Sequence, residues 1–144
     1  MTLRTRVIPV ILHSEGICYK PVSFGRRRTL GPLMQQVQVY QRRQVDELII
    51  LDIGATKHGA EPDYEAVEEI SSELFSPLTV GGGIKNLEQI NRLLRAGADK
   101  VAIKSGATDG FIREASEKFG SQSIVVAIDA TDLFQCMDSR HRIK

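Results

Sequence analysis

Residues 78–84, Leu-Thr-Val-Gly-Gly-Gly-Ile, carry the strongest fold signal in this chain. The apolar start is typical of a strand buried on both faces of a parallel sheet. The three glycines let the backbone approach a ligand closely and adopt positive φ angles, so that N–H groups can converge on phosphate oxygens. The alternative is that Gly81 to Gly83 only make a tight turn from strand to helix. The stretch therefore predicts a buried strand that ends in a candidate phosphate loop.

A second strand with a polar loop lies in residues 100–107, Lys-Val-Ala-Ile-Lys-Ser-Gly-Ala. Lys104, Ser105 and Gly106 come just after its apolar run and would bring a cation, a hydroxyl and a free backbone to the same rim. Two such loops on neighbouring strands favour a phosphate site over a simple turn.

Alternating elements extend this pattern over the chain. Short Val- and Ile-rich runs predict five strands, and helical spacing of apolar residues predicts four helices between them. Together they indicate four βα units and a fifth strand, wound right-handedly. Length alone would favour a flavodoxin-like or Rossmann-like sheet, but no G-x-G-x-x-G follows the first strand. The predicted strands are 7–12, 48–53, 78–80, 101–103 and 124–128, and the predicted helices lie near 33–40, 64–74, 86–96 and 109–119.

Composition fits one globular domain in 144 residues, with 42% apolar and 26% charged residues. The net charge of +1 gives no overall field for nucleic acid, and Arg26 to Arg28 are interpreted as a solvated loop face, with substrate phosphate as a second use. Cys18 and Cys136 lack metal spacing and are expected to be free thiols in a reducing compartment. No run approaches the roughly 20 apolar residues of a membrane span, so a cytoplasmic protein without membrane or nucleic-acid partners is expected.

Charged residues stand at both ends of the predicted strands. Asp52 and Asp129 end the second and fifth strands, where active sites of parallel sheets assemble, and could act as general acid and base or merely cap the next helix or pair with a loop cation. Arg6, Glu47 and Lys100 precede strands at the opposite rim. With a period of two, Glu47 is out of phase with Asp52, so both point inward only if the strand bends. Without further information, this rim is as well explained by solvated charges.

Five motifs stand in register along the chain, at residues 6–12, 45–53, 79–84, 97–103 and 119–130. Together they resemble the cyclase subunit of imidazole glycerol phosphate synthase. The likeness runs from about residue 4 to residue 130, in a family that folds as a (β/α)8 barrel of about 250 residues. It therefore implies an α/β fold that is a (βα)4–5 half of a TIM barrel, in a half-barrel domain 1–130 with a tail 131–144. The motifs are Arg-Val-Ile-Pro-Val-Ile-Leu (6–12), Val-Asp-Glu-Leu-Ile-Ile-Leu-Asp-Ile (45–53), Thr-Val-Gly-Gly-Gly-Ile (79–84), Gly-Ala-Asp-Lys-Val-Ala-Ile (97–103) and Phe-Gly-Ser-Gln-Ser-Ile-Val-Val-Ala-Ile-Asp-Ala (119–130).

The resemblance implies that ammonia from a glutaminase partner enters at the bottom of the barrel and reaches a phosphorylated substrate at the top. Lys20 and Asp129 match functional positions, and Asp52 is a third catalytic candidate from its place at a strand end. Lys104 and Ser105 replace the family's usual Asn-Thr pair, and the longer reach of lysine alters the pocket. The matched phosphate positions are Gly82, Gly83, Lys104 and Ser105, and the matched ammonia gate and partner positions are Arg6, Glu47, Asp99 and Lys100.

The second catalytic aspartate of the family is replaced by Leu12, which cannot transfer a proton. This leucine, with Lys-His-Gly-Ala-Glu-Pro-Asp at 57–63, is similar to a divergent branch linked to the amidation of surface sugars. Whether the chain is an enzyme stays open: if active, it is an ammonia-dependent synthase or lyase without cofactor or metal. If silent, it is a phosphate-binding half-barrel. Half a barrel leaves an apolar face and two strand edges, so closure by a second copy is expected, with an open flavodoxin-like sheet as the alternative.

Overall fold

The computed structural model describes residues 4–22, 26–130 and 136–137. The predicted α/β class is confirmed: seven strands form one mixed sheet, and two short strands form a separate ladder. The five predicted strands are all present. The strands of the sheet are β1 Val10–Ser14, β2 Ile17–Pro21, β3 Arg27–Pro32, β4 Leu48–Asp52, β5 Leu78–Gly81, β6 Lys100–Ile103 and β7 Ile124–Val126, and the small ladder pairs β8 Asp129–Ala130 with β9 Cys136–Met137.

The four predicted helices are also present, with one short helix that the sequence did not predict. Three begin at residues whose side chains accept a hydrogen bond from the backbone N–H three positions on, as capping requires. These caps are Asp63, Asn86 and Thr108. Gln89 is the third residue of α4, and its side-chain oxygen accepts from Lys85 N at 2.7 Å. The helices are α1 Leu33–Arg42, α2 Ala55–His58, α3 Tyr64–Glu73, α4 Leu87–Arg95 and α5 Asp109–Phe119, α2 being the unpredicted one.

Strand order separates the two folds that the sequence allowed. The sheet runs β3-β2-β1-β4-β5-β6-β7, and β1, β4, β5, β6 and β7 are parallel neighbours in the order of the chain. Right-handed crossovers that always step to the same side leave every helix on one face of the sheet. A flavodoxin-like sheet reverses direction after its first strands and has helices on both faces. The observed order is that of a barrel wall, so the half-barrel prediction is confirmed over its alternative.

The two faces of the parallel strands differ in burial. On the helix-covered face, alternate residues pack into one core with the helices. On the other, the open face, Val10 is 50% exposed and Leu12, Ile49 and Leu51 are half-buried, whereas Thr79 on β5 and Ala102 on β6 are buried. This contrast is the expected consequence of half a barrel, since the inner layer lacks its opposite wall. The core strand residues are Ile11, Leu48, Ile50, Leu78, Val80, Val101 and Ile103, and the core helix residues include Leu33, Val37, Val67, Ile70, Ile90, Leu93 and Ala115.

A β-hairpin corrects the prediction of a loop around residues 20–28. β2 pairs antiparallel with β1 and β3 with β2, so Lys20 lies directly opposite Arg28 and both are exposed. Arg27 begins β3, and the Arg26 carbonyl accepts a hydrogen bond from Val22 N. The basic run gave no strand signal because an edge hairpin buries little and its side chains stay polar.

The predicted boundary at residue 130 falls within the small ladder. Asp129 pairs with Met137 and Ala130 with Cys136. The rest of the predicted tail, 131–135 and 138–144, lies outside the described residues, so the tail assignment stays a prediction.

Candidate functional site

An ion-paired cluster occupies the amino end of the parallel strands. Glu47, just before β4, is buried, with 9% of its side chain exposed. Its Oε1 accepts from Arg6 Nη1 at 2.7 Å, and its Oε2 accepts from Lys100 Nζ at 2.9 Å. Each carboxylate oxygen therefore has its own cation. The structure thus joins three residues that the sequence placed at the same rim, which rules out a ring of separately solvated charges.

Asp99 lies beside this cluster, on the residue before β6. Its Oδ2 accepts from Leu78 N at 2.8 Å, and its own N–H donates to Leu78 O at 2.9 Å. The side chain thus fixes the first residue of β5 while the residue stays exposed. One carboxylate oxygen is used in the fold, and the exposed remainder of the side chain lies at the same end of the sheet as Lys100.

The glycine loop at the carboxyl end of β5 is shaped by close backbone contacts. Gly82 has φ +116°, and a Cβ there would lie 2.3 Å from Asp52 O. Gly83 has φ +70°, and its Cβ would lie 2.8 Å from Ala55 Cβ. Both positions need glycine for steric reasons that involve no ligand. These contacts explain the two glycines as a tight turn, in which Gly82 is half-buried and Gly83 is buried.

Lys104 and Asp129 meet at the same end of the sheet. Lys104 follows β6, which pairs with β5 so that Ala102 lies opposite Gly81. Lys104 Nζ donates to Asp129 Oδ2, with 45% and 34% of the two side chains exposed. Ser105 is half-buried in the turn after Lys104, which is held by a hydrogen bond from Ala107 N to Lys104 O. The structure therefore places a candidate phosphate lysine and a candidate catalytic aspartate in direct contact.

Asp52 has a different environment from Asp129. Its Oδ1 accepts from Gly54 N at 2.8 Å and from Ala55 N at 3.0 Å, which fixes the turn into α2. Asp52 pairs in register with His13 on β1, on the helix-covered face, whereas Glu47 is in phase with the open face. The strand does not bend to bring both inward. The geometry thus corresponds to the capping role that the sequence left open for Asp52.

His13 is a buried titratable residue for which the sequence indicated no role. It is 6% exposed, and its Nδ1 has no hydrogen-bond partner among the described residues. Burial lowers the pKa of His13 from its ordinary value of 6.5, against the opposing charges of Asp52 and Asp63. A small cavity lies beside it. The space open to the centre of a water molecule is about 20 Å³, which is enough for one water. Only the register of β1 with β4 puts the imidazole there, so the sequence held no signal for it.

Two further predicted positions are separated from the Lys104–Asp129 pair. Leu12 is half-buried on the open face, in register with Tyr19 on one side and Leu51 on the other. Lys20 is exposed on the hairpin, and among the described side chains it forms no ion pair with Asp129. In this structure the proposed catalytic lysine and aspartate are therefore not assembled into one constellation.

Metal-binding and membrane-spanning features are absent from the described part of the chain. Within residues 4–22, 26–130 and 136–137, no group of three or more His, Cys, Asp or Glu side chains is arranged to hold a metal ion. In the same part of the chain, every helix is too short or too polar to cross a bilayer. Cys18 is a buried free thiol, and burial raises its pKa.

Parallel strands laid down in chain order, helices on one face and polar loops at the carboxyl ends define a protein of the (β/α)-barrel class, of which this chain forms a part. Its sequence matches the model of a family described as "Histidine biosynthesis protein" over residues 6–142. The chain belongs to that family. The resemblance drawn from the five motifs is thereby confirmed.

Two curated relatives make the kinship more specific. The chain is 48% identical over 129 residues to a Campylobacter jejuni protein named "Putative imidazole glycerol phosphate synthase subunit hisF2", covering 88% of this chain and 52% of that protein. It is 42% identical over 129 residues to "Putative imidazole glycerol phosphate synthase subunit HisF" of Leptospira borgpetersenii, covering 88% and 51% respectively. The chain spans about half the length of the curated relatives it matches.

Proposed function

We propose that this chain supplies the first half of a synthase subunit that accepts ammonia from a glutaminase partner and passes it to a phosphorylated substrate. The observation that carries the proposal is the separation of two charged clusters at opposite ends of the same parallel strands. Arg6, Glu47 and Lys100 lie at the amino end, and Lys104 and Asp129 lie at the carboxyl end. An entrance at one end and a reaction site at the other match this arrangement.

The amino-end cluster is proposed as the ammonia gate and the partner surface. The Glu47 carboxylate joins the cations of β6 and of the segment before β1, so moving any one of the three side chains breaks an ion pair. Lys100 is 32% and Arg6 64% exposed along their side chains, so both are reachable from outside. Asp99 has one carboxylate oxygen on Leu78 N, and its exposed side chain is proposed as a partner contact.

The carboxyl-end cluster is proposed as the substrate site. Gly82, Gly83, Lys104 and Ser105 would hold a phosphate group through backbone N–H groups, an ammonium and a hydroxyl. Asp129 would act as the general acid or base, with Lys20 brought in from the hairpin. Asp52 serves this site indirectly, because its carboxylate fixes the turn against which Gly82 packs.

Leu12 limits what the site can do. Leu12 lies on the open face beside Leu51 and has no group that can transfer a proton. The family that this chain resembles has a carboxylate at this position. The full acid and base pair is then missing, so we propose that this chain has impaired or no cyclase activity by itself. Binding of phosphate and stimulation of the partner do not need that pair.

The first experiment measures glutamate released from glutamine by the glutaminase subunit of the same organism, with and without this chain. Stimulation is expected, and Glu47→Gln should weaken it because Lys100 and Arg6 lose their shared carboxylate. Glu61→Gln is the matched control, since Glu61 forms an exposed ion pair with Arg92 far from the cluster. A wild-type chain that never stimulates the glutaminase would reject the ammonia-accepting role.

The second experiment measures binding of inorganic phosphate by calorimetry. Replacing Lys104 and Ser105 together by alanine should abolish binding, while Lys118→Ala, an exposed lysine on α5, should leave it unchanged. An unchanged affinity in the double variant would reject the phosphate site. The two experiments are independent, so either half of the proposal can fail alone.

A second candidate function is a catalytically silent phosphate-binding half-barrel that self-assembles. The specific observation in its favour is the uncovered apolar surface at the open side and edge of the sheet, where Val10, Val126 and Ile128 are 50%, 39% and 67% exposed. Four parallel strands from each of two copies would close eight strands through a twofold interface, and the fifth parallel strand of each copy would be supernumerary. Sedimentation of the 144-residue chain tests it: a homodimer without glutaminase stimulation supports this function, and a monomer contradicts it.

The cytoplasmic location expected from the sequence stays a prediction.

A further inference from the structure

The ion pair between Lys104 and Asp129 joins the proposed phosphate site to the proposed catalytic carboxylate. Both side chains are partly exposed, so a ligand can reach either of them. Among the described residues this is the only ion pair that either side chain makes. The ammonium of Lys104 is therefore paired with the Asp129 carboxylate, whereas the proposed function requires the same ammonium to bind a substrate phosphate.

The position of the pair decides which anion can compete for Lys104. Lys104 is in phase with Ala102 on the open face of β6, and Ala102 lies opposite Gly81 at the start of the glycine loop. A phosphate seated on that loop would therefore approach from β5, while Asp129 approaches from the segment after β7. The two anions reach the same ammonium from neighbouring strands.

Electrostatics favours exchange over a shared complex. A phosphate monoester carries about −1.5 to −2 charges near neutral pH, against −1 for a carboxylate. The two anions repel each other when they lie on one ammonium. The partly exposed Lys104–Asp129 pair is worth little by itself, so it is readily broken.

We propose that a bound phosphate group displaces Asp129 from Lys104, so that the catalytic carboxylate is freed only when the phosphate site is filled. This inference rests on the phosphate site proposed above and adds a regulation to it. While paired, the carboxylate has an oxygen committed to the ammonium and is poorly placed to take a proton from a reacting group. After the exchange, that oxygen faces the open side of the sheet.

The test is a double-variant cycle on the affinity for inorganic phosphate, measured by calorimetry in about 0.15 M salt, where the Debye length is about 8 Å. Asp129→Asn should bind phosphate about twofold to fivefold more tightly than wild type, because Lys104 no longer has a competing partner. The matched control is Asp109→Asn, which removes the same charge from an exposed side chain in the first turn of α5 that has no ion pair with Lys104. It should change the affinity by less than about 1.5-fold.

The second arm of the cycle separates competition from simple repulsion. In a Lys104→Gln background, Asp129→Asn should give a smaller gain than in the wild-type background, because there is no ammonium to release and only the repulsion between the two anions is removed. A gain as large in this background as in the wild-type background shows that repulsion alone accounts for the effect and overturns the proposal. Equal gains in Asp129→Asn and Asp109→Asn overturn it as well.

A wild-type measurement keeps the test independent of how the variants fold. In the wild-type chain, the carboxyl carbon-13 signal of Asp129 should move on addition of inorganic phosphate and should not move with the same concentration of chloride. Phosphate binding by calorimetry without movement of this signal overturns the exchange and leaves the phosphate site standing. Absence of phosphate binding in the wild type rejects the site and the exchange together.

Discussion

Lys100 Nζ lies 2.9 Å from Glu47 Oε2, although the whole of β5 separates their two strands in the sheet. The contact is possible because Glu47 and Lys100 are in phase on the open face and both reach across Thr79, which pairs with Lys100. Arg6 donates to the other carboxylate oxygen, so the buried Glu47 pairs with cations from two segments that are distant in the sequence.

Removing that carboxylate should destabilise the fold. In Glu47→Gln, two cations lose their common partner while the amide keeps most of the volume. We expect a loss of about 1 to 2 kcal/mol in the free energy of unfolding, less than for a fully buried pair because Arg6 and Lys100 are partly exposed. Urea unfolding followed by circular dichroism measures it. Glu61→Gln, in an exposed pair, should cost at most about 1 kcal/mol, and an equal loss in both variants would contradict a special role for Glu47.

The glycine loop leads to a second prediction about stability. Gly82→Ala places a Cβ 2.3 Å from Asp52 O at a residue with φ +116°, so the turn must shift. We expect a loss of about 2 kcal/mol or more in the free energy of unfolding. Gly110→Ala is the control: a Cβ on that α5 residue meets nothing within 4 Å, and helix propensity should raise stability by up to about 1 kcal/mol. Thermal melts of the two variants should therefore move in opposite directions.

Burial of His13 makes stability depend on pH. Because burial lowers the pKa of His13 below 6.5 in the folded chain, the unfolded chain binds this proton more readily. The His13 contribution is therefore fully present above pH 6.5 and is lost as the pH falls towards the folded-state pKa. From this one group, the free energy of unfolding can change by at most about 1.4 kcal/mol per pH unit.

The measurement for His13 is urea unfolding at several pH values between about 5 and 8. Wild type should lose stability below about pH 6.5, and His13→Gln should reduce that loss. His58→Gln, at an exposed position, should leave the profile as in wild type. A wild-type profile that is flat through this range would show that the imidazole is not buried in its neutral form.

The N-cap of α4 allows a test of local stability. Asn86 Oδ1 accepts from Gln89 N at 2.9 Å, and Gln89 Oε1 accepts from Lys85 N. Asn86→Ala should lower the free energy of unfolding by about 1 kcal/mol, whereas Asn86→Asp should keep it within about 0.5 kcal/mol because aspartate caps equally well. Denaturant midpoints distinguish these outcomes, and equal midpoints for alanine and aspartate would mean that the cap contributes little.

Local patterns explain why the parallel strands and the main helices could be predicted. The β5 run ends in glycines and the α4 segment begins at Asn86 and ends before Gly97, so each element carries its own boundaries. The first strand was placed too early, because Val7 belongs to the apolar run but β1 begins at Val10. In α4, Leu93 is buried and Leu94 is half-buried, a difference of one position that periodicity alone does not resolve.

The hairpin and the individual site contacts were beyond such patterns. β2 exists because the edge of β1 offers it backbone partners, and β3 pairs in turn with β2, so Lys20 and Arg28 fall opposite each other despite like charge. Asp52 and Asp129 looked equivalent in sequence, each ending a strand. In the folded chain, the Asp52 carboxylate accepts a hydrogen bond in the turn before α2, whereas the Asp129 carboxylate pairs with Lys104.

The βα alternation, the glycine loop after β5 and the family can all be read from the order of residues, because propensity, periodicity and motifs are properties of neighbouring residues. Three contacts needed the folded chain: Glu47 binds both Arg6 and Lys100, His13 is buried beside Asp52, and Lys104 holds Asp129. Each of these contacts joins residues that lie on, or next to, different strands. Their geometry depends on strand order and register, which pairing across the whole sheet establishes.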